Sequence, residues 1–412
     1  MRYRVQPLGQ FIDIISGYAF KSKDFKSTGI PVIKIKNVTP PEVSLVDLSY
    51  IPIEIADSLP KFELSYGDVL IALTGSHINQ MASVVGRVAR VKYYIRSMLN
   101  QRVGKIVVKD KDVCDLEYVY YYLSQDQVKI SLASKAGGAA NQANISLTDV
   151  KELEIPLPPI EIQRRISDIL SAYDDLIENN QKQIKLLEEA AMRLYKEWFV
   201  KLRFPGHEKT KIEDGVPEGW EKLYIEDVCQ TVGGGTPSTK VPSYYNNGTI
   251  PWVTPTDITR NDCLILLDTE KKITEEGLAR SSAKMLPSET ILMTSRASVG
   301  FFGISEQEVC TNQGFISCIP NNKNLMMFLL LNLMSRKDEI RQKAGGATYL
   351  EINKSTFRKL IVIKPDDTLL NEFQSITYTI LKRISALKKQ SDLLKQARDK
   401  LLPKLMNGEI EI

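Results

Sequence analysis

Lys21, Lys23, Lys34, Lys36 and Asn37, then Ser76, His77, Asn79 and Gln80, place cations, hydroxyls and amides in two polar stretches of the first half of this sequence. Thr236, Ser238, Lys240, Tyr245, Thr256, Arg260, Ser295 and Arg296 do the same in the second half. Arg, Lys, Asn and Gln form paired hydrogen bonds with guanine or adenine edges in a major groove. Lys, Ser, Thr and backbone N–H groups fit phosphates. Polar loops are solvated by default, so residue type alone does not choose between a nucleic-acid surface and an ordinary wet one.

Other chemistries are poorly supplied. Gly233-Gly234-Gly235-Thr236-Pro237-Ser238-Thr239-Lys240 resembles a phosphate loop at first glance. A P-loop needs Gly immediately before Lys-Ser/Thr, and here Thr239 precedes Lys240 and Val241 follows it. Gly17-Tyr18-Ala19-Phe20 lacks the later glycines of a dinucleotide fingerprint. The two histidines, His77 and His207, are far apart in the chain, which leaves little for a Ser-His-Asp triad or a His-based metal site. No zinc-ligand spacing, HExxH, GxSxG or Asn/Asp-Pro-Pro-Tyr/Phe motif occurs. Asp174-Asp175 and Glu188-Glu189 lie on a helical pattern, where solvated charge is the ordinary reading. The chain is therefore expected to have no catalytic residues, metal or cofactor of its own.

The elements that must carry these residues come from 412 residues, 43% hydrophobic and 25% charged. That length predicts two or three domains. No apolar run is long enough to span a bilayer, and the N-terminus lacks an apolar signal region. Five scattered cysteines without a CxxC pair suggest free thiols in a reducing cytosol, so a cytoplasmic protein with no membrane association is expected. The net charge of +4 permits a nucleic-acid partner without arguing for one.

The chain repeats itself. Gly29–Thr39 matches Thr249–Thr259, and Gly67–Thr74 matches Pro287–Thr294, both at an offset of 220 that pairs Thr74 with Thr294. Asn100-Gln101 then matches Asn312-Gln313. Lys135-Ala136-Gly137-Gly138-Ala139 matches Lys343-Ala344-Gly345-Gly346-Ala347, and Leu153–Pro158 matches Leu360–Pro365. Five blocks in one order, with a slowly shrinking offset, describe a duplicated domain with small loop deletions.

A helical segment follows each copy. Ile166, Leu170, Tyr173, Ile177, Asn180, Ile184, Leu187, Ala191, Leu194 and Trp198 alternate steps of four and three, which is a heptad seam. As one helix, residues 160–201 would extend about 60 Å. The second seam reads Ile380, Ile384, Leu387, Ser391, Leu394, Arg398, Leu401 and Leu405, in a helix from about Leu369 to Leu402 that Pro403 is expected to end or kink. Residues 161–201 hold seven Lys/Arg and eight Asp/Glu, whereas residues 381–404 hold eight and two, so the first helix should attract the second. Asn180 and Ser391 either face water or fix register; both readings stay open. The expected fold class is α+β: two similar mixed α/β domains separated by two long antiparallel coiled-coil helices, related by a pseudo-twofold axis. The expected divisions are 1–157, 158–201, a Gly/Pro-rich linker 202–219, 220–365 and 366–412. Two similar heads held at a set distance fit two half-sites on one duplex, which favours DNA contact.

Several blocks carry a family resemblance. They are Ser16–Phe25 with Gly29–Ile33, and Leu157-Pro158-Pro159-Ile160-Glu161-Ile162-Gln163 continuing through Arg193–Phe199 to Arg203-Phe204-Pro205-Gly206. Val216–Trp220, Gly235–Ser238, Ile250–Val253 and Leu401–Ile410 complete the set. Together they resemble the specificity (S) subunit of type I restriction-modification systems, over essentially the whole chain. The resemblance implies that 1–157 and 220–365 are target recognition domains, each reading half of a split, asymmetric double-stranded DNA target. The two helices would be spacers that set the gap. Two methyltransferase (M) subunits and restriction (R) subunits would be the partners, carrying S-adenosylmethionine, ATP and Mg. The first copy lacks the Pro-x-Gly-Trp entry present at Pro217–Trp220, so its N-terminal strand is expected to pack differently. The competing readings are a coiled-coil adapter whose heads bind proteins rather than DNA, and a self-contained nucleic-acid enzyme, which the missing cofactor motif disfavours.

Overall fold

The computed structural model describes residues 3–137, 143–346 and 349–412. Gly138, Ala139 and Ala347 of the repeated Lys-Ala-Gly-Gly-Ala block lie outside them. The chain divides into two compact units, 1–175 with 395–412, and 176–394, so each unit takes a part of both long helices.

In the first unit, β1 (Val5–Pro7) precedes β2 (Ile12–Ser16) and β3 (Ile30–Ile33). Then come β4 (Val69–Ala72), β5 (Val88–Arg90), β6 (Ser97–Leu99) and β7 (Val103–Val108). The main sheet has the order β2–β7–β4–β5, extended by the short strands Glu42–Val43 and Val38–Thr39. β4 is buried at every position, as its unbroken Val-Leu-Ile-Ala run requires of a central strand. β2 alternates because it lies at the edge. A second sheet places β3 beside β6. Helix α1 (Leu116–Ser124) starts where the Asp115 carboxylate accepts from the Tyr118 N–H at 2.8 Å, and it buries four tyrosines.

The strand β8 (Glu154–Pro156) pairs antiparallel with β1, Gln6 opposite Ile155. It leads into α2, whose α-helical part is Ile160–Tyr195. The last turn, Lys196–Val200, widens to π geometry, with the Lys201 N–H reaching the Lys196 carbonyl at 2.8 Å. Gln163, fully buried, fastens α2 to its unit. Its Oε1 accepts from the Asp115 N–H, and its Nε2 donates to the Val113 and Pro158 carbonyls, at 2.8–2.9 Å.

The second unit repeats this plan. β9 (Glu221–Tyr224) is followed by β10 (Cys229–Gly233), β11 (Ile250–Val253), β12 (Ile291–Thr294) and β13 (Phe302–Ser305). β14 (Cys310–Thr311), β15 (Phe315–Pro320), α3 (Met326–Ser335), β16 (Ile361–Lys364) and α4 (Asp367–Met406) complete it. The main sheet runs β10–β15–β12–β13 and ends on Ile265–Leu266, while β11 pairs with β14. β9 pairs antiparallel with β16, Lys222 opposite Ile363. The two entry strands therefore pair alike, against the expectation for the first copy. Their ladders use backbone groups, so the missing Pro-x-Gly-Trp does not alter them. Gln374 Oε1 accepts from the Met327 N–H at 3.1 Å, the counterpart of Gln163 on Asp115.

Within each unit the two long helices run antiparallel. In the first, Ile166 and Leu170 share a core with Leu402, Leu405 and Met406. In the second, Ile184, Ala191 and Tyr195 pack with Leu387, Leu381, Ile384 and Phe373, and Leu187 and Ile380 sit at the margin. Tyr173 and Leu394 are half-buried, and Ile177 is buried. Asn180 is buried and donates to Gln390 Oε1 at 3.1 Å, and Ser391 is buried with no partner for its hydroxyl among the described residues, so neither faces water. Pro403 does not end α4, which continues to Met406. Proline forfeits only its own N–H bond, its carbonyl still accepts from Asn407 at 3.0 Å, and buried Leu402, Leu405 and Met406 hold the turn in place. Charge attraction between the helices is realised at Arg398–Asp174, 2.5 Å. Lys382, Lys388 and Lys389 instead reach Glu289, Asp262 and Glu306 of the second unit at 3.3, 2.9 and 2.5 Å.

Asp174 is the polar centre of the first unit. It accepts from Arg90 at 2.6 Å, Tyr121 at 2.7 Å and Arg398. Burial opposes the charge on Arg90, and Tyr120, Tyr121, Glu117 and Asp174 more than reverse it, so the guanidinium stays protonated. Removing one member of such a group strands the others. Asp174→Ala should cost about 3–5 kcal/mol, and Tyr121→Phe about 1 kcal/mol. Urea dependence of amide exchange in β5 reads out the first unit separately and checks both values.

Candidate nucleic-acid interface

The register of the two main sheets places most of the singled-out residues. In the first unit β2 ends at Ser16 opposite Gly104, and β4 ends at Ala72 opposite Val103. β3 ends beside the same turn, where the Asn100 N–H donates to the Ile33 carbonyl at 3.1 Å. The loops after β2, β3 and β4 therefore leave one end of the sheets, around the β6–β7 turn. They carry Lys21 and Lys23, then Lys34, Lys36 and Asn37, then Ser76, His77 and Gln80.

The second unit is built alike. β10 ends at Gly233 opposite Ile316, β12 ends at Thr294 opposite Phe315, and the Asn312 N–H donates to the Val253 carbonyl at 3.0 Å. Its loops carry Thr236, Ser238, Lys240 and Tyr245, then Thr256 and Arg260, then Ser295 and Arg296. The ladders also correct one repeat match. Ala72 and Thr294 hold equivalent positions, and Leu73 and Ser295 accept from Ile145 and Ile352 in the same way, both at 3.0 Å. Thr74 thus corresponds to Arg296, not Thr294. A slip of two preserves the inside–outside alternation of a strand, so the sequence pattern does not register it.

The glycines that suggested nucleotide loops have a plain steric role. A Cβ on Gly17 would lie 2.1 Å from the Asn100 carbonyl oxygen, and one on Gly234 would lie 2.2 Å from that of Asn312. Each lets the chain cross over the turn that carries the Asn-Gln pair. Burial pushes the thiols of Cys114, Cys263 and Cys310 up to about 12, so they are not thiolate nucleophiles. No cluster of potential metal ligands occurs among the described residues.

The candidates differ in how free they are. Lys21, Lys23, Gln80, Ser238, Lys240 and Arg260 are exposed. Lys36 is ion-paired with Asp47. Lys34 donates to Ser49 at 2.8 Å and lies over the Phe25 ring. Ser76 bonds to the Gln80 carbonyl and to Ser83, both at 2.8 Å, and the His77 carbonyl accepts from the Gln80 N–H at 3.0 Å, with no capping bond from the His77 side chain. The Asn79 side chain is outside the described residues. Tyr245 donates to the Pro237 carbonyl at 2.6 Å, and Thr256 is half-buried. Thr236 bonds to Gln313, and Arg296 stands 3.6 Å from Glu351. Ser295 and Asn37 are corrections: both are buried, Ser295 as a continuation of β12. Asn37 Oδ1 accepts from the Lys34 N–H, and its Nδ2 donates to the Ser44 and Val46 carbonyls at 3.0–3.1 Å, which leaves no edge for a base.

Sequence reasoning passed over Gln101 and Arg102 in the first unit, and Gln313 and Tyr349 in the second. Gln101, Arg102 and Gln313 are exposed on the two Asn-Gln turns, and Tyr349 is exposed on a separate segment whose Leu350 carbonyl accepts from the Ala297 N–H at 2.8 Å. The Asn-Gln pair was visible as a repeat marker, and a turn shared by both copies was the available signal. Asn37→Ala should destabilise the first unit by about 1–3 kcal/mol, since two carbonyls lose their donor. Thermal unfolding checks this, and DNA affinity at full folding should stay unchanged.

Comparison with known proteins agrees with this layout. The family described as "Type I restriction modification DNA specificity domain" matches residues 2–189 and again 217–402. A Methanocaldococcus jannaschii protein named type I restriction enzyme MjaIX specificity subunit is 28% identical over 323 residues, 76% of this chain and 73% of its own length. The putative MjaX specificity subunit of the same organism is 26% identical, covering 100% of this chain and 94% of its own. The crystal structure of a type I restriction-modification S subunit from M. genitalium has the same fold, with a TM-score of 0.61 at 18% identity over 98% of this chain and 96% of that one. Two matched copies across nearly the whole chain, each on a sheet with the same loop-bearing end, place this protein in the type I restriction-modification DNA specificity family.

Proposed function

We propose that each unit reads one half of a bipartite, asymmetric DNA target through the loops at the β6–β7 and β14–β15 ends of its sheets. The observation that carries this reading is the pairing of a common frame with unlike side chains. Tyr18 and Gly235 sit at equivalent positions, each N–H bonded to the strand carbonyl before the Asn-Gln turn, at 3.0 and 2.9 Å. Thr74 and Arg296 are likewise equivalent. Two readers with one scaffold and different loop chemistry suit two different half-sites.

The paired helices set the gap between the halves and offer the surface for two methyltransferase subunits and the restriction subunits. Adenine methylation with S-adenosylmethionine, and cleavage with ATP and Mg, belong to those partners. This chain supplies sequence choice. Lys21, Lys23, Lys240 and Arg260 serve phosphates or base edges, and Arg296 is assigned to a base edge.

Exchanging the first recognition unit for that of a relative should change one half of the methylated target and leave the other half intact. Mapping methylated adenines in cells carrying the chimera checks this; a target unchanged in both halves refutes the reading. Arg296→Gln should cost about 1–3 kcal/mol at a single base position, measured by competition with duplexes substituted one base at a time.

A further inference from the structure

A pocket of about 510 Å³ flanks β10 in the second unit. Lys284, Lys354 and Arg358 line it, together with Gln230, Thr231 and Gly233, and no carboxylate among the described residues does. Arg358 is fixed as its floor. Its Nε donates to Thr231 Oγ1 at 2.6 Å and a terminal nitrogen to the Thr231 carbonyl at 3.3 Å, along the free edge of β10. Lys284 and Lys354 are exposed and have no hydrogen-bond or ion-pair partner among the described residues. The Lys354 ammonium lies against Gly233, where an added Cβ would stand 2.9 Å from it. The mouth adjoins the reading loops: Ser282, two residues before Lys284, packs against Gly235, and Thr236 follows.

The first unit shows what a merely structural version looks like. By the ladder register, Asp13 corresponds to Gln230, Lys151 to Arg358 and Leu147 to Lys354. There Lys151 is neutralised by Asp13 at 2.8 Å, and the neighbouring position is apolar. In the second unit the acid is an amide, and a second and third cation have been added. Like charges gathered without a counter-charge repel one another, and an anion relieves that repulsion.

We propose that this pocket holds a phosphate of the DNA backbone. Lys284 and Lys354 supply the charge and Arg358 the fixed base of a clamp that seats the duplex beside Thr236 and Arg296. The proposal rests on the DNA-reading function above. It adds a sequence-independent contact peculiar to the second unit.

The test uses the full chain assembled with its methyltransferase subunits. Anisotropy titrations across a salt series compare a duplex containing the mapped target with one lacking it. The double variant Lys284→Gln/Lys354→Gln should bind both duplexes more weakly by the same factor. Its salt slope should fall by about 0.9 for each phosphate that the variant no longer neutralises. Gln230→Asp, which restores the acid of the first unit, should act in the same direction. Unchanged slopes in both variants, or an altered preference between duplexes, overturn the clamp. If inorganic phosphate at constant ionic strength protects the wild type alone while the DNA slopes coincide, the pocket takes a free anion and the clamp is likewise overturned. A wild-type assembly that does not prefer its mapped target overturns the DNA-reading function itself; a selective wild type with an indifferent double variant overturns only the clamp.

Discussion

One carboxylate organises the first unit. Asp174 on α2 binds Arg90 from the sheet, Tyr121 from α1 and Arg398 from α4. A buried charge is tolerated only where its partners are fixed in place, so the strand, the head helix and both long helices must keep one mutual position. Apolar packing alone would allow a helix to shift by a turn at modest cost. A shared buried acid does not, because any shift leaves charges unpaired.

The second unit meets the same demand with aromatic rings. Phe199 stands 4.8 Å from Phe373 and 4.9 Å from Phe328, and Phe204 lies 5.1 Å from Trp220, ring centre to ring centre. Tyr195 accepts a hydrogen bond from buried Asn332 at 2.9 Å. Large rings with restricted geometry fix helix against head through shape. Trp198, Phe199 and Phe204 of the family resemblance therefore pack in the core of this unit, whereas Pro205 and Gly206 are exposed, and the Pro-Pro-Ile-Glu-Ile-Gln stretch places Gln163 in its buried socket.

This rigid frame explains why the variable chemistry collects where it does. Strand interiors carry the ladders and the core, and helix faces carry the docking. The turns beyond the ends of β2, β3 and β4, and of β10, β11 and β12, owe neither. Exposed side chains there change without altering the fold, provided Gly17 and Gly234 keep the crossing open and buried Asn37 keeps its backbone bonds. Specificity can then vary on a constant scaffold.

The sequence alone determined the duplication, the helix seams and the poverty of catalytic groups, because each is a matter of order, period or residue type along the chain. Tertiary structure decided which polar residues are free. Asn37 and Gln80 look alike as amides in loops; one is enclosed by three backbone bonds and the other is exposed, and only the packing around them separates the two. It also set the pairing of Thr74 with Arg296, since a two-residue slip keeps every side chain on its own face. It brought Asp174, which reads as a solvated charge on a helix, into contact with residues 84 positions before and 224 after it. Local pattern reports what a residue is and which face it takes; what meets that face is fixed by contacts between segments far apart in the chain.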